Sequence, residues 1–295
     1  MRNVTLFFVL LTVVFVGSYV AARRIDTKEN EVEIGEATSR FKAAPFTLNN
    51  LPFTLVIVGL NNGAYVGKTL SSVFSQNYEN YRVVYIDDAS DDGSFDLARD
   101  LIYDSSQLGQ VTLVRNEERL GTLANVFRAV QSCKDEEIVV ILQGEDWLAH
   151  EWVLQRLNAY YADPDLWLTY GQYRDYPTYE LGSCHECKEM NFRLQPFPST
   201  HLKTFYAGLF KKIRESDFIS SGKFLQGASD LAYMIPMLEM SRGHSHFIPE
   251  ILYISNRGAV NVKEDRESQL RCEKFIRALD PYPELAALEV HACGE

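Results

Sequence analysis

Apolar runs and helical patterns alternate along the middle of the chain. Four short apolar runs, each typical of a buried strand, lie at 53–58, 82–86, 111–114 and 138–142. Apolar positions at helical spacing follow each run, at 66–74, 95–103, 120–130 and 152–161. Because strands that alternate with helices form βαβ units, this pattern predicts an α/β fold with a mainly parallel central sheet flanked by helices.

The alternation ends after a fifth apolar run at 166–170. Residues 173–203 contain prolines and show little periodicity, which predicts a long loop. Helical patterns return at 206–213 and 230–240, and a strand at 248–254 and a closing helix at 264–279 are predicted after them. We therefore expect one domain over residues 51–280, followed by a C-terminal tail at 281–295.

The N-terminus carries the longest apolar segment. Residues 3–22 contain no charged side chain, and about 20 apolar residues suffice to cross a bilayer. This predicts a single-pass membrane anchor at 1–22, with a cleaved secretory signal as the alternative. Basic residues flank the segment on both sides, so the side of the membrane stays open. Residues 23–50 are polar and aperiodic, as in a stalk.

Charge and cysteine content exclude some classes of function. The formal net charge is −11, whereas nonspecific binding to nucleic acid needs a basic surface, so no nucleic-acid partner is expected. Five cysteines are spread over a long chain, which predicts mostly free thiols. Cys184 and Cys187 form a CxxC that could bind zinc, but a second pair of ligands is missing, and a disulfide or free thiols remain alternatives.

Acidic side chains follow two of the predicted strands. Asp87 and Asp88 come after 82–86, and Glu145 and Asp146 come after 138–142. The carboxyl ends of parallel strands are where α/β sheets bind ligands. Carboxylates there can accept hydrogen bonds from a nucleoside or hold a hard cation. No GxGxxG or GK[ST] motif is present, which argues against a dinucleotide oxidoreductase or a phosphate loop.

An ordered series of motifs resembles one known family. The segment FTLVIVGLNNGAYVGKTLSSVFSQNYENYRVVYIDDASDDGS resembles the opening of glycosyltransferase family 2, the nucleotide-sugar transferases of the GT-A fold. RLGTLANVFRAV is similar to the NxG…N helix of that family, ILQGEDWL to its metal loop, and GASDLAYMIPMLEMS to its acid-bearing helix. The resemblance covers about 53–261, and its specificity lies in the order of the motifs.

The resemblance implies a role for each matching residue. It implies inverting transfer of a sugar from a nucleotide-sugar donor, a UDP-sugar above all, to a hydroxyl of a glycan or lipid acceptor, and the predicted anchor places this at a membrane. Asp230 would be the catalytic base, and Mg²⁺ or Mn²⁺ would be held by Glu145 and by Asp146, the latter as principal ligand. The residues that would contact the nucleotide sugar are Asn61, Asp87, Asp88, Gly121, Asn125 and Gln143.

The motifs depart from the family pattern at several positions. Gln143 and Glu145 replace two aspartates of the metal loop, Ser229 replaces a glutamate, and Gly59 and Leu60 replace the usual threonine and tyrosine. These changes motivate an alternative hypothesis, a GT-A domain that binds a glycan or nucleotide sugar without turnover. A nucleotidyltransferase ranks last, because its triphosphate loop would have only Lys68 as a cation.

Overall fold

A mixed eight-stranded sheet forms the centre of the described part of the protein. The computed structural model describes residues 50–187, 191–197, 201–258 and 266–290. The predicted anchor at 1–22 and nearly all of the predicted stalk lie outside the described residues. Among those described, no helix has the length and apolar character to cross a membrane.

Four parallel strands form one half of the sheet. Their order is β3-β2-β1-β4, and they are β1 (Phe53–Gly59), β2 (Tyr81–Asp87), β3 (Val111–Arg115) and β4 (Ile138–Gln143). Every residue of β1 is buried, as expected for an interior strand covered on both faces. The register places Asp87 beside Gly59 and Gln143 beside Val58, so the polar ends of these strands meet at one edge.

Helices connect these strands in the predicted alternation. They are α1 (Gly63–Phe74), α2 (Ser94–Asp104), α3 (Thr122–Gln131) and α4 (Val153–Tyr160), with a short 3-10 helix at Leu108–Gln110. Helix α1 buries Val66, Leu70 and Val73 on one face, at the spacing that brings side chains together on a helix. The prediction of a mainly parallel sheet flanked by helices is confirmed.

The other half of the sheet mixes strand directions. It adds β5 (Trp147–Leu148), β6 (Leu168–Tyr176), β7 (Lys203–Tyr206) and β10 (Ser245–Asn256), which extend the order as β4-β7-β6-β10-β5. β7 runs antiparallel to β4 and β6, and β6 and β10 are parallel. The remaining elements are α5 (Ala207–Phe210), a 3-10 helix at Glu215–Phe218, a small hairpin of β8 (Ile219–Ser220) and β9 (Lys223–Phe224), α6 (Ser229–Met240) and α7 (Arg266–Ala278).

Three predictions in this half are wrong in detail. The predicted strand at 166–170 continues to Tyr176, the predicted loop at 173–203 ends inside β7, and the predicted helix at 206–213 is reduced to the single turn of α5. The reason is long-range pairing. β7 lies between β4 and β6 and hydrogen-bonds to both, which fixes an extended backbone that no local pattern indicates.

Residues after α7 pack on the domain. Leu288 and Val290, in the predicted tail, are buried in the core. The backbone N–H of Leu285 donates to the carbonyl of Met240 at 2.9 Å. The part of 281–295 that the structure describes therefore covers the end of α6.

Candidate active site

Two loops touch where β1 and β4 end. Asn62 Nδ2 donates to the carbonyl of Gly144 at 2.6 Å and to the hydroxyl of Tyr85 at 3.2 Å. A Cβ atom on Gly59 would lie 2.6 Å from Asn62 Oδ1, and one on Gly144 would lie 2.6 Å from the Cα of Gly59. A side chain at Gly144 would push the two loops apart, and one at Gly59 would displace the Asn62 amide from its hydrogen bonds.

The turn after β1 is tied to the turn after β2. Asn61 has a φ of +52°. Its backbone N–H donates to Ser90 Oγ, and its side-chain oxygen accepts from the N–H of Asp91, both at 3.0 Å. Asp92 accepts from the backbone N–H of Gly63 at 2.9 Å. The predicted nucleotide-binding residue Asn61 therefore lies beside the acidic turn after β2.

Asp87 and Asp88 are held almost entirely by the protein. Asp87 accepts from the backbone N–H of Ser90 at 3.0 Å. Asp88, only 2% exposed, accepts from the N–H groups of Leu120 and Gly121, each at 2.9 Å. Burial by itself raises the pKa of Asp88. The hydrogen bonds from these N–H groups and from neighbouring asparagine amides lower it by more, so the pKa lies below its ordinary value.

Gly121 and Asn125 belong to the same network. Asn116 Nδ2 donates to Asp88 Oδ1 and to Asn125 Oδ1, both at 2.8 Å, and Asn125 Nδ2 donates to the carbonyl of Gly121 at 3.0 Å. Gly121 has a φ of +88°, and a Cβ there would lie 2.7 Å from Gln226 Oε1. The structure thus brings Asp88, Gly121 and Asn125 together, as the motif order predicts.

The loop after β4 is fastened to β10. Gln143 ends β4, and its backbone N–H donates to the hydroxyl of Tyr253 at 3.4 Å. Asp146 is 4% exposed; it accepts from the same hydroxyl at 2.5 Å and from the N–H of Asn256 at 2.7 Å. Burial raises the pKa of Asp146 to about 6, and the two hydrogen bonds only partly oppose it. The amide of Asn256 also donates to the carbonyl of Glu145, at 3.3 Å.

The side chains of this loop could supply part of the coordination shell of a cation, with the other ligands coming from a bound substrate and water. Within the part of the chain that the structure describes, no cluster of three or more His, Cys, Asp or Glu side chains could hold a metal alone, at the CxxC or elsewhere. Glu145 and Asp146 supply two carboxylates, and Mg²⁺ commonly takes one or two from the protein beside phosphates and water. Asp146 also holds β10, because its two oxygens accept from Tyr253 and Asn256, so a cation would have to share them.

Asp230 lies in the first turn of α6 and forms an ion pair with a buried lysine. Lys203 Nζ lies 2.8 Å from its Oδ2, and the hydroxyl of Tyr233 donates to its Oδ1 at 2.8 Å. Burial raises the pKa of Asp230, but the charge of Lys203 and these hydrogen bonds lower it more, so it lies below its ordinary value. The predicted base is a carboxylate at neutral pH.

Lys203, His201 and Tyr253 join the two predicted acids, and sequence reasoning missed all three. The ring of His201 stacks on that of Tyr253, with centroids 4.4 Å apart, and the Tyr253 hydroxyl binds Asp146. Lys203 pairs with Asp230 and also lowers the pKa of Asp146. The one local signal was a lysine inside the apolar run 202–210.

Lys68, the candidate cation of a triphosphate loop, contacts aromatic rings. Its Nζ lies 3.5 Å from the ring centroid of Trp147 and 4.4 Å from that of Tyr176. These cation–π contacts hold the ammonium group of Lys68 against two aromatic rings. The nucleotidyltransferase hypothesis gains no support from this position.

Comparisons with known proteins agree with the motif order. Residues 54–218, more than half of the chain, match the family glycosyl transferase family 2. None of the curated proteins matches the sequence.

Solved structures share the fold at low sequence identity. S. aureus TarS has a TM-score of 0.55 and 14% identity over 70% of this chain and 37% of that chain. S. aureus TarS 1-349 in complex with UDP has a TM-score of 0.54 and 14% identity, over 77% and 64%. Mannosyltransferase PcManGT from Pyrobaculum calidifontis, in complex with GDP-Man and Mn²⁺, has a TM-score of 0.50 and 18% identity, over 76% and 61%. The chain therefore spans less than two thirds of the length of each.

Proposed function

Because the chain belongs to glycosyl transferase family 2, we propose that it transfers a sugar from a nucleotide-sugar donor to a hydroxyl acceptor. One observation carries the proposal. The segment that leads into α6 meets the nucleotide side of the site through Gln226, which donates to the carbonyl of Leu120 at 3.1 Å. It meets the opposite side through the ion pair of Asp230 with Lys203. These two contacts of the segment that carries Asp230 support a role for Asp230 at this site.

The donor would lie along the carboxyl edge of β1, β2 and β4. We propose that the nucleoside contacts the turns around Asn61, Asp88 and Gly121, whose positive-φ backbone lets the chain approach a ligand closely. The solved relatives were obtained with UDP, with UDP-GlcNAc and with GDP-Man. A UDP-sugar is our proposed donor, with Asp87, Asn125 and Gln143 supporting its position.

Asp230 would act as the general base. It takes the proton of the acceptor hydroxyl as that oxygen attacks the anomeric carbon, and the bond to the nucleoside diphosphate breaks on the opposite face, so the configuration inverts. A positioned base typically contributes a factor of about 10² to 10⁴ in rate. A divalent cation at Glu145 and Asp146, Mg²⁺ or Mn²⁺, would supply charge neutralisation for the leaving diphosphate.

The acceptor and the location are proposed from the sequence. The uncharged segment 3–22 supports a membrane anchor, and we therefore propose a glycan or lipid acceptor presented at a membrane surface. An exposed catalytic domain behind a polar stalk would reach such an acceptor without crossing the bilayer.

The test measures release of UDP or GDP from a panel of UDP-Glc, UDP-Gal, UDP-GlcNAc and GDP-Man, with water as acceptor and with Mn²⁺ or EDTA. We expect the wild-type protein to release nucleotide from one donor and to be slowed by EDTA. Asp230→Asn should lower this rate by about 10²-fold or more and leave the Kd for UDP unchanged. Asp165→Asn, an exposed acid-to-amide change, is the matched control.

A binding module remains the second candidate, because both oxygens of Asp146 already accept protein hydrogen bonds and Gln143 stands where the family has an acid. Calorimetry with UDP and Mn²⁺ separates the two. Binding without release from any donor favours the module. Release that survives Asp230→Asn at the wild-type rate refutes the base assignment and leaves transfer in place.

A further inference from the structure

A lysine ammonium is buried in the middle of the sheet. The side chain of Lys203 is 1% exposed, and its register position opposite Ile141 fixes it between β4 and β6. An ammonium in such a place must be compensated, since an isolated buried charge is strongly unfavourable. Asp230 supplies the compensating charge at 2.8 Å.

The two members of this ion pair differ in access to solvent. The side chain of Asp230 is 31% exposed, against 1% for Lys203. A substrate can therefore reach the carboxylate but not the ammonium. Lys203 therefore acts on a reaction at this site through the groups beside it, and its ion-pair partner among them is Asp230.

Among the residues that the structure describes, three groups face Asp230 from the elements packed against it. Lys203 comes from β7, Tyr233 from the next turn of α6, and His201 from the segment before β7. Burial, and then the charge of Lys203, lower the pKa of His201 to about 3. The imidazole is thus neutral at physiological pH, and Lys203 carries the positive charge beside Asp230.

We propose, on the basis of the function proposed above, that Lys203 is a positioning residue that keeps Asp230 ionised and aimed at the acceptor hydroxyl. In the transfer step the acceptor oxygen forms its bond to the anomeric carbon. The bonding pair between that carbon and the diphosphate oxygen leaves with the nucleoside diphosphate, and the hydroxyl proton passes to Asp230. Lys203 keeps its own protons, and the Tyr233 hydroxyl fixes the other carboxylate oxygen.

The test compares Lys203→Met with the wild-type protein in nucleotide release from the donor that the wild type uses, over pH 5 to 9. Methionine fills the space of the lysine without its charge. We expect kcat to fall by about 10-fold to 100-fold and the acid limb of the pH profile to move to higher pH. The Kd for UDP should stay unchanged. Lys211→Met, which breaks the surface pair with Asp135, is the matched control and should leave rate and profile unchanged.

A double-mutant cycle distinguishes positioning from a structural role. If Lys203 acts through Asp230, Lys203→Met should change the residual rate of Asp230→Asn by less than about twofold, because coupled sites are not additive. A full additional loss in that background, or an acid limb that does not move, would overturn the inference.

A measurement without turnover keeps this inference separate from the proposed function. In protein labelled with ¹³C at aspartate carboxyls, the Asp230 signal is assigned by its loss in Asp230→Asn. We expect this carboxyl to titrate at higher pH in Lys203→Met than in the wild type, whether or not any donor is turned over. Identical titration in the two proteins would refute the role of Lys203 even if transfer is established.

Discussion

Asp88 and Asp146 are both almost fully buried carboxylates at the same edge of the sheet, yet their pKa values move in opposite directions. Asp88 accepts from two backbone N–H groups and one asparagine amide at the turn that begins α3. Asp146 accepts from one backbone N–H and one tyrosine hydroxyl of β10. Burial disfavours both charges, so the number and kind of donors decide the sign.

The difference means that Asp88 has one protonation state near neutral pH, whereas Asp146 can change its state. We call Asp146 the adjustable position for this reason. A carboxylate held by several N–H donors stays ionised and keeps a turn in one conformation. A carboxylate whose pKa lies near 6 changes protonation close to neutral pH. We infer that Asp88 stays ionised and organises its turn, whereas Asp146 changes its protonation as the pH passes through about 6.

The largest expected effect comes from changing each acid to its amide. In Asp88→Asn the new amide N–H₂ group replaces an oxygen that accepts a backbone N–H, so two donors face each other. The hydrogen bonds to an ionised carboxylate are also lost. We expect the free energy of unfolding to fall by about 3–5 kcal/mol. In Asp146→Asn the new amide can donate to the hydroxyl of Tyr253 while its oxygen still accepts from Asn256, so the loss should stay below about 1 kcal/mol.

Urea denaturation of both variants at pH 7.5 in EDTA measures this contrast. Asp165→Asn, exposed and far from either turn in sequence, controls for the loss of one charge. Equal losses in Asp88→Asn and Asp146→Asn would show that the donors do not distinguish the two sites.

The next effect is the pH dependence of stability. The pKa of Asp146 is raised from 3.8 to about 6, so the folded state binds the proton more tightly than the unfolded chain. Its contribution to stability is present below about pH 4 and is lost as the pH rises to about 6, a difference of about 3 kcal/mol. The pKa of Asp88 is lowered, so its contribution has the opposite sign and is lost when the pH falls below the ordinary aspartate range.

Unfolding curves between pH 4 and 7.5, in EDTA, check both signs. The stability of the wild type minus that of Asp146→Asn should decrease as the pH rises through 4 to 6. A difference that stays constant, or that increases with pH, would contradict the raised pKa of Asp146.

The same contrast explains which parts of the fold follow from the sequence. β1, β2, β3 and β4 are apolar runs long enough to be recognised, and each is followed by a helix with a regular apolar face. β5 has two residues and β7 has four, too few to show a period. Their conformation depends on pairing with strands far along the chain, which a local pattern does not contain.

The site divides in the same way. Asp88, Gly121 and Asn125 lie on neighbouring turns of consecutive βα units, so the order of the motifs places them together. Lys203 and Tyr253 reach Asp230 and Asp146 only through the mixed half of the sheet. Which side chains pair with these two acids depends on the tertiary structure. The sequence gives one indication, the lysine within the apolar run 202–210.

The smallest expected effect, and the sharpest test of the adjustable position, is Tyr253→Phe. Phenylalanine keeps the ring that stacks on His201 but removes the hydroxyl that binds Asp146. At pH 8 a bond to an ionised carboxylate is lost, at a cost of about 2 kcal/mol, and at pH 5 a weaker bond to the neutral acid is lost, at about 1 kcal/mol. Tyr85→Phe, which loses a bond to the neutral Asn62, should cost the same at both pH values. Urea denaturation measures the four differences, and a cost for Tyr253→Phe that does not rise with pH would mean that Asp146 stays in one protonation state.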